Sequence, residues 1–371
     1  MADSIQKNYP RLLNEKTNTL KRLFSGIDIP DISVFASPAK HFRMRAEFRI
    51  WHIDNKLHYV MFKKGQKNTP IIIEEFPHAS QAITHVMFPL LKAIEKQEIL
   101  SKKLFQIDFL STTTNQLLIT LLYHKTLDDN WQTQAHHLQS LLNDVQTPSI
   151  SLLGRARKQK ITLDRDYVIE DMIVDNQLFQ YQQVENSFTQ PNAYICSEML
   201  NWVVEHSKNS TGDLLELYCG NGNFTLPLAK NFNKVLATEV SKTSVKSAQF
   251  NIALNKINNV DIIRLSSEEL TQALNRTREF RRLASLNLDD YQFSTVLVDP
   301  PRAGLDDETL SFINRFNTII YISCNPNTLI ENIKKLGQHS ICQCALFDQF
   351  PFTDHIECGV ILKSISHAQV R

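Results

Sequence analysis

The chain has 371 residues, 42% of them hydrophobic, which is enough for two domains that each bury a core. No apolar stretch approaches the ~18 residues of a membrane span, and Met1-Ala2-Asp3-Ser4-Ile5-Gln6-Lys7 lacks the charged-then-apolar pattern of a signal peptide, so a cytoplasmic, globular protein is expected. The net charge of +1 conceals a basic run. From Lys40 to Lys67 eight Lys or Arg (40, 43, 45, 49, 56, 63, 64, 67) face only Glu47 and Asp54. Such a run fits a polyanion partner or a plain solvated face, and charge alone leaves both open. All six cysteines (196, 219, 324, 342, 344, 358) fall in the C-terminal half with no Cys-x-x-Cys pair. No metal or iron–sulfur cluster is therefore expected, because those sites need clustered thiolates.

In chain order, Met44–Trp51 and Leu57–Phe62 alternate like paired strands, and Ser80–Leu100 has helical spacing. Phe105–Leu110 and Leu117–Tyr123 flank a Thr/Asn turn; a helix, Trp131–Val145, and a strand, Ser149–Leu153, follow. The order β-β-α-β-β-α-β predicts an α+β domain with a mainly antiparallel sheet and helices on one face. Tyr167–Phe188 reads as a strand pair leading to a turn at Gln190-Pro191-Asn192. From Ala193 onward helices and short apolar strands alternate, which predicts a doubly wound parallel sheet. The expected division is an α+β domain over 1–180, linker strands included, and an α/β domain over 181–371.

Asp213–Phe224 joins a strand to a helix through Gly220-Asn221-Gly222, whose glycines allow close approach of backbone to a ligand. The next strand, Lys234–Thr238, ends at Glu239, 17 residues after Gly222, where a carboxylate accepts hydrogen bonds from ribose hydroxyls. A nicotinamide cofactor fits poorly, because Thr225 stands where the third glycine of that pattern belongs. S-adenosylmethionine fits better, having a ribose but no pyrophosphate that calls for a helix N-terminus. A further strand, Ser294–Val298, ends in Asp299-Pro300-Pro301-Arg302, and the prolines stiffen the backbone that presents Asp299 to the same cleft. The plainer reading is a rigid turn with a solvated acid.

The buried parallel strand Thr318–Ile322 ends in Ser323-Cys324-Asn325-Pro326. Chemistry gathers at the carboxyl ends of such strands, so Cys324 is placed to attack. Glu357 lies at the entry to the final strand, Cys358–Leu362, with Asp354 and His355 beside it. A thiolate and a nearby base suit a carbon that is not nucleophilic by itself, and uracil C5 is one. Thiolate addition at C6 makes C5 a carbanion equivalent able to take a methyl group; a base then removes the C5 proton and the thiolate leaves. Cys324 is the candidate nucleophile and Glu357 the candidate base, against the bland alternative of a buried structural cysteine.

At Phe188–Asn192, Tyr218–Phe224, Glu239, Asp299–Arg302, Ser323–Pro326 and Phe347–Glu357 the chain resembles the S-adenosylmethionine-dependent RNA uracil-5-methyltransferases. The resemblance implies a Rossmann-like methyltransferase domain with an N-terminal RNA-binding domain. It implies that Gln190, Tyr218, Asn223, Glu239 and Asp299 line the cofactor site, with Cys324 as nucleophile and Glu357 as proton acceptor. Family members acting on ribosomal RNA usually carry an N-terminal four-cysteine cluster, whereas no cysteine here precedes Cys196. The N-terminal half is similar to the bacterial tRNA branch, which implies methylation of the T-loop uridine at position 54, with the equivalent loop of transfer-messenger RNA as a further candidate.

A uracil in a folded loop must be extruded for attack, and exposed aromatics that fill the vacated stack offset the cost. Arg49, Phe105 and His124 are the expected loop contacts, with Arg43, Arg45 and the Arg155–Lys160 cluster drawing phosphates; for Phe105 the rival reading is core packing. Rival functions are a methyltransferase for exocyclic amines, which needs no cysteine, a non-catalytic RNA-binding or folding protein, and the same chemistry on ribosomal RNA.

Overall fold

The computed structural model of the chain describes residues 2–54, 56–63, 65, 69–145 and 148–365; Lys64 and Lys67 of the basic run lie outside the described residues. The chain opens with α1 (Ala2–Leu23) and β1 (Ile32–Phe35). Next come β2 (Arg45–Ile53), β3 (Lys56–Phe62), β4 (Pro70–Ile72), α2 (Gln81–Glu95), α3 (Glu98–Ser101), β5 (Leu104–Ser111), β6 (Gln116–Tyr123), α4 (Asp129–Val145), β7 (Ser149–Ala156) and β8 (Gln159–Thr162). A hairpin of β9 (Tyr167–Val174) and β10 (Gln177–Val184) follows. The rest is α5 (Ala193–Ser207), β11 (Asp213–Leu217), α6 (Thr225–Leu228), β12 (Val235–Thr238), α7 (Lys242–Leu254), β13 (Val260–Ile263), α8 (Ser267–Leu274), β14 (Phe293–Val298), α9 (Asp307–Ile313), β15 (Thr318–Ser323), α10 (Pro326–Lys335), β16 (His339–Phe347) and β17 (Glu357–Ser364). Asp175 and Asn176, both at positive φ, make the two-residue turn of the β9–β10 hairpin, a conformation short polar side chains tolerate.

Two compact units result: Met1–Ser37 with Met172–Tyr181 and Tyr194–Arg371, and Pro38–Asp171 with Gln182–Ala193. The expected boundary near residue 180 is therefore redrawn, because the N-terminal segment folds into the first unit. Leu20 of α1 and Phe24 just after it are fully buried in its core, each burial contributing about 1.5–3 kcal/mol. On the same helix, Lys16 Nζ meets Asp348 Oδ1 at 2.6 Å and donates to the Phe350 carbonyl at 2.8 Å, and the Tyr9 hydroxyl donates to Asp348 Oδ2 at 2.8 Å. β1 adds a parallel edge strand to β16.

The first unit's sheet runs β1-β16-β17-β15-β14-β11-β12-β13. β11 pairs in parallel with both β12 and β14, and β15 extends the parallel set beyond β14. β17 is antiparallel to both β15 and β16. The strand order reverses between β11 and β14, which opens a crevice at their carboxyl ends.

The second unit's sheet runs β4-β3-β2-β5-β6-β7-β8 and is antiparallel except where β7 lies parallel to β6. α4 makes that crossover, as a parallel pair requires. α2 and α4 share one core with the sheet: Ile83, Met87, Leu90 and Ile94 from α2, spaced three or four residues apart, meet Trp131, Ala135, Leu138 and Leu142 from α4. The helix expected over Ser80–Leu100 is broken at Lys96-Gln97, where Gln97 is extended. Among the described residues no helix is long and apolar enough to cross a membrane, and no group of three or more His, Cys, Asp or Glu is placed to hold a metal ion.

Candidate active site

Strand register decides which side chains share the carboxyl edge of the first unit's sheet. The pairs Leu217↔Thr238 and Leu217↔Val298 end the β11 ladders, so Tyr218, Glu239 and Asp299 emerge side by side as the next residues of three neighbouring strands. Ser323↔Cys358 is the last pair between β15 and the antiparallel β17. One step further, Cys324 leaves β15 opposite Glu357, the first residue of β17. The antiparallel turnback thus brings together two residues 33 positions apart in sequence.

At the crevice, Tyr218, Gly220 and Gly222 all have positive φ. A Cβ on Gly222 would lie 2.6 Å from Leu226 Cδ1, so glycine is required there both by φ and by the first turn of α6. A Cβ on Gly220 would meet nothing within 4 Å, so the loop faces open space at that point. The Glu239 carboxylate accepts the Gly220 N–H at 3.1 Å and the Ser241 N–H at 2.7 Å, which fixes it beside the loop. The Tyr218 hydroxyl is 2.6 Å from Ser267 Oγ. Asn223 has a buried amide nitrogen with no hydrogen-bond partner, and its side-chain oxygen accepts from the Cys196 thiol at 3.4 Å. An orphaned donor, a fixed carboxylate and a loop open at Gly220 suit a nucleoside carrying an amino-acid tail. Gln190, expected with this group, belongs to the Gln182–Ala193 segment of the second unit.

The reacting groups lie beside this crevice. Burial pushes the Glu357 carboxyl up to about 8, with Arg302 pulling the other way. Burial also raises Asp299 well above the usual carboxylate range, and the adjacent Glu357 raises it further. Two acids this close do not ionise independently, so near neutral pH the pair retains a proton. The half-buried Cys324 thiol is raised by burial and then by Glu357 and Asp299, against the lowering effect of Arg302. Behind them, burial and the nearness of Asp299 lift the fully buried Glu216 to about 8. Sequence reasoning gave no role to Arg302, His355 or Glu216, although Arg302 and His355 stand in the quoted motifs. Arg302 is fixed by its backbone: its carbonyl accepts from Asn325 Nδ2 at 3.0 Å and from Thr328 Oγ1 at 3.3 Å.

The second unit carries a separate constellation. Its β5–β6 register shifts between Leu104 and Gln106, leaving Phe105 as the extra residue of a bulge. The bulge turns its ring out to stack on His124, with centroids 3.8 Å apart and planes 10° apart, and the Arg49 guanidinium lies 5.3 Å from the ring centre. Phe105 is therefore not a core residue. A cleft of about 540 Å³ adjoins the stack, lined in part by His124, Lys125, Thr126, Arg155 and Arg157. Several of the cations expected on phosphates also make contacts within this unit. Arg155 makes a bidentate pair with Glu185 at 2.7 and 2.6 Å, and Lys160 binds Asp166 at 2.6 Å. Arg43 Nε donates to the Arg45 carbonyl at 2.7 Å, and Arg45 Nη1 to the Ser187 carbonyl at 2.6 Å.

The family model described as tRNA (Uracil-5-)-methyltransferase matches residues 8–365. A Cellvibrio japonicus protein named tRNA/tmRNA (uracil-C(5))-methyltransferase is 52% identical over 363 residues, covering 98% of this chain and 97% of its own. A Psychromonas ingrahamii protein of the same name is 54% identical over 357 residues, covering 96% and 97%. Among solved structures, the Pyrococcus abyssi tRNA (uracil-54, C5)-methyltransferase in complex with S-adenosyl-L-homocysteine aligns with a TM-score of 0.72 at 22% identity, over 96% of this chain and 83% of that one, and so shares its fold. The chain belongs to the tRNA (uracil-5-)-methyltransferase family.

Proposed function

We propose that the protein methylates C5 of the T-loop uridine of tRNA, position 54, through a covalent bond between Cys324 and uracil C6, and acts likewise on transfer-messenger RNA. The carrying observation is the apposition of Cys324 and Glu357 across the end of the β15–β17 ladder. S-adenosylmethionine supplies an electrophilic methyl group when bound. Tyr218, Asn223, Glu239 and Asp299 hold it. Cys324 bonds to C6 and makes C5 nucleophilic, and after the methyl group has arrived Glu357 takes the C5 proton so that Cys324 leaves. Burial raises Glu357 to about 8 and raises the Cys324 thiol as well, so turnover rises with pH through about 8 and goes on rising as the thiol ionises.

RNA is held by the second unit in this reading. Phe105 and His124 offer a stacking surface to an unstacked loop base, and Arg49 adds charge beside it. The work is cytoplasmic, where unmodified tRNA is found. The test is transfer of labelled methyl to unmodified tRNA by wild type and Cys324→Ala, with a T-loop uridine-to-cytidine transcript as control. Label recovered as 5-methyluridine only with intact thiol and intact uridine supports the reading; methylation by Cys324→Ala contradicts the covalent route.

A further inference from the structure

His355, two residues before Glu357, has no part in the reaction as written above, yet its ring is tightly constrained. Phe350 packs edge-on against it, with centroids 4.9 Å apart and planes at 85°. Arg302 Nη2 approaches its Nδ1 at 3.3 Å. A guanidinium only donates, so Nδ1 accepts and the proton of the neutral ring sits on Nε2. Nε2 faces Glu357 Oε2 at 3.7 Å. That is beyond hydrogen-bond range, and catalytic contacts of this kind commonly tighten when substrate binds. Burial disfavours a charged imidazole most, and Arg302, from the loop after β14, and Lys16, from α1, add to it. Glu357 faces the ring from β17, with Asp299 and Cys324 behind it.

We propose that His355 is a positioning residue for the proton acceptor: with Arg302 holding Nδ1, its Nε2–H donates to the Glu357 carboxylate and stabilises it in the ionised, correctly turned form. This rests on Glu357 being the base. In the step it serves, a Glu357 oxygen takes the C5 proton. The C5–H electron pair becomes the C5–C6 double bond, the C6–Sγ bond breaks, and its pair returns to Cys324 as thiolate. The preceding methyl transfer does not use the base, so His355 acts on elimination alone. A donor to the charged form also lowers the carboxyl's affinity for protons, opposing the burial that raises it.

The experiment is single-turnover methylation of a T-arm transcript with labelled S-adenosylmethionine, quenched in denaturant over a range of pH. Label on free RNA is separated from label on a denaturation-resistant protein–RNA complex. His355→Asn keeps an acceptor for Arg302 but lacks the reach of Nε2, and His355→Gln restores a donor at that reach. In His355→Asn the methylated complex forms within about three-fold of the wild-type rate but resolves about ten-fold more slowly, and the acid limb of resolution moves up by about one pH unit. His355→Gln recovers most of the loss. Resolution at the wild-type rate in His355→Asn overturns the inference, and so does an equal slowing of both steps with an unmoved limb, the signature of a loop residue that only shapes the fold. Glu357→Gln resolving normally would overturn the base assignment and this inference together, whereas slow Glu357→Gln beside normal His355→Asn overturns this inference alone.

Discussion

At the carboxyl edge of the first unit's sheet the functional groups are acids and a thiol sunk among apolar strands, whereas on the second unit the Arg49–Phe105–His124 stack keeps its rings and charge at the surface. Glu216, Glu357 and Asp299 all bind protons more tightly than exposed carboxyls because burial penalises their ionised forms. The stack pays no such penalty: Arg49 and His124 are exposed, and the bulge delivers Phe105 half-exposed. Bond-making chemistry gains from a dry, low-dielectric edge in which a carboxyl is basic enough to take a proton from carbon. Holding an RNA loop gains from solvated charge and flat rings.

Substitutions that confuse these two roles should have different signatures. Glu357→Gln strikes the first region hardest: turnover falls by about 10²–10⁴-fold, and methylated RNA remains attached to the protein in denaturing gels. Free 5-methyluridine formed at the wild-type rate would place the base elsewhere. Phe105→Ala strikes the second region, removing a stacking surface worth about 1–3 kcal/mol per base. KM for tRNA rises about ten-fold or more, with kcat changed far less and the protein's melting temperature preserved; unchanged KM and turnover would rule the contact out.

The smallest expected effect concerns stability. Glu216 is raised from 4.5 to about 8 in the native protein, so between those values the native state holds a proton that the unfolded chain has released. Stability therefore falls as pH rises through this window, and the loss is complete above about 8. Glu216→Gln has no ionisation to penalise, so unfolding free energies measured from about pH 6 to pH 8 should decline less than in wild type, by on the order of 2 kcal/mol across the window. Parallel wild-type and variant curves would mean that Glu216 is ionised in the native protein.

How far each region could be read from sequence follows from the same contrast. Short apolar strands ending in polar residues expose the carboxyl edge directly, which is why Glu239, Asp299 and Cys324 stand out. The opposition of Cys324 and Glu357 depends on β17 running antiparallel, and nothing within Cys358–Leu362 encodes direction. Phe105 is ambiguous in sequence because Leu104–Leu110 contains apolar residues on both parities, and only the bulge after Leu104 decides which way the ring points. α1 is hard to read from sequence for a different reason. Leu13, Lys16, Leu20 and Phe24 fall at helical spacing, but Lys16 looks like an interruption of the apolar face until Asp348, 332 residues away, supplies its buried partner. The domain boundary moved with it.

The covalent bond at Cys324 is the central claim, and a T-arm transcript carrying 5-fluorouridine at the target position tests it most directly. Fluorine cannot leave as a proton does, so once the methyl group has been transferred the adduct has no exit. With S-adenosylmethionine present, peptide mass analysis should find the methylated fluorouracil nucleotide on the peptide containing Cys324, one per protein molecule, and none on Cys324→Ala. Stoichiometric methylation without a protein–RNA bond, or a bond at another residue, would contradict the account.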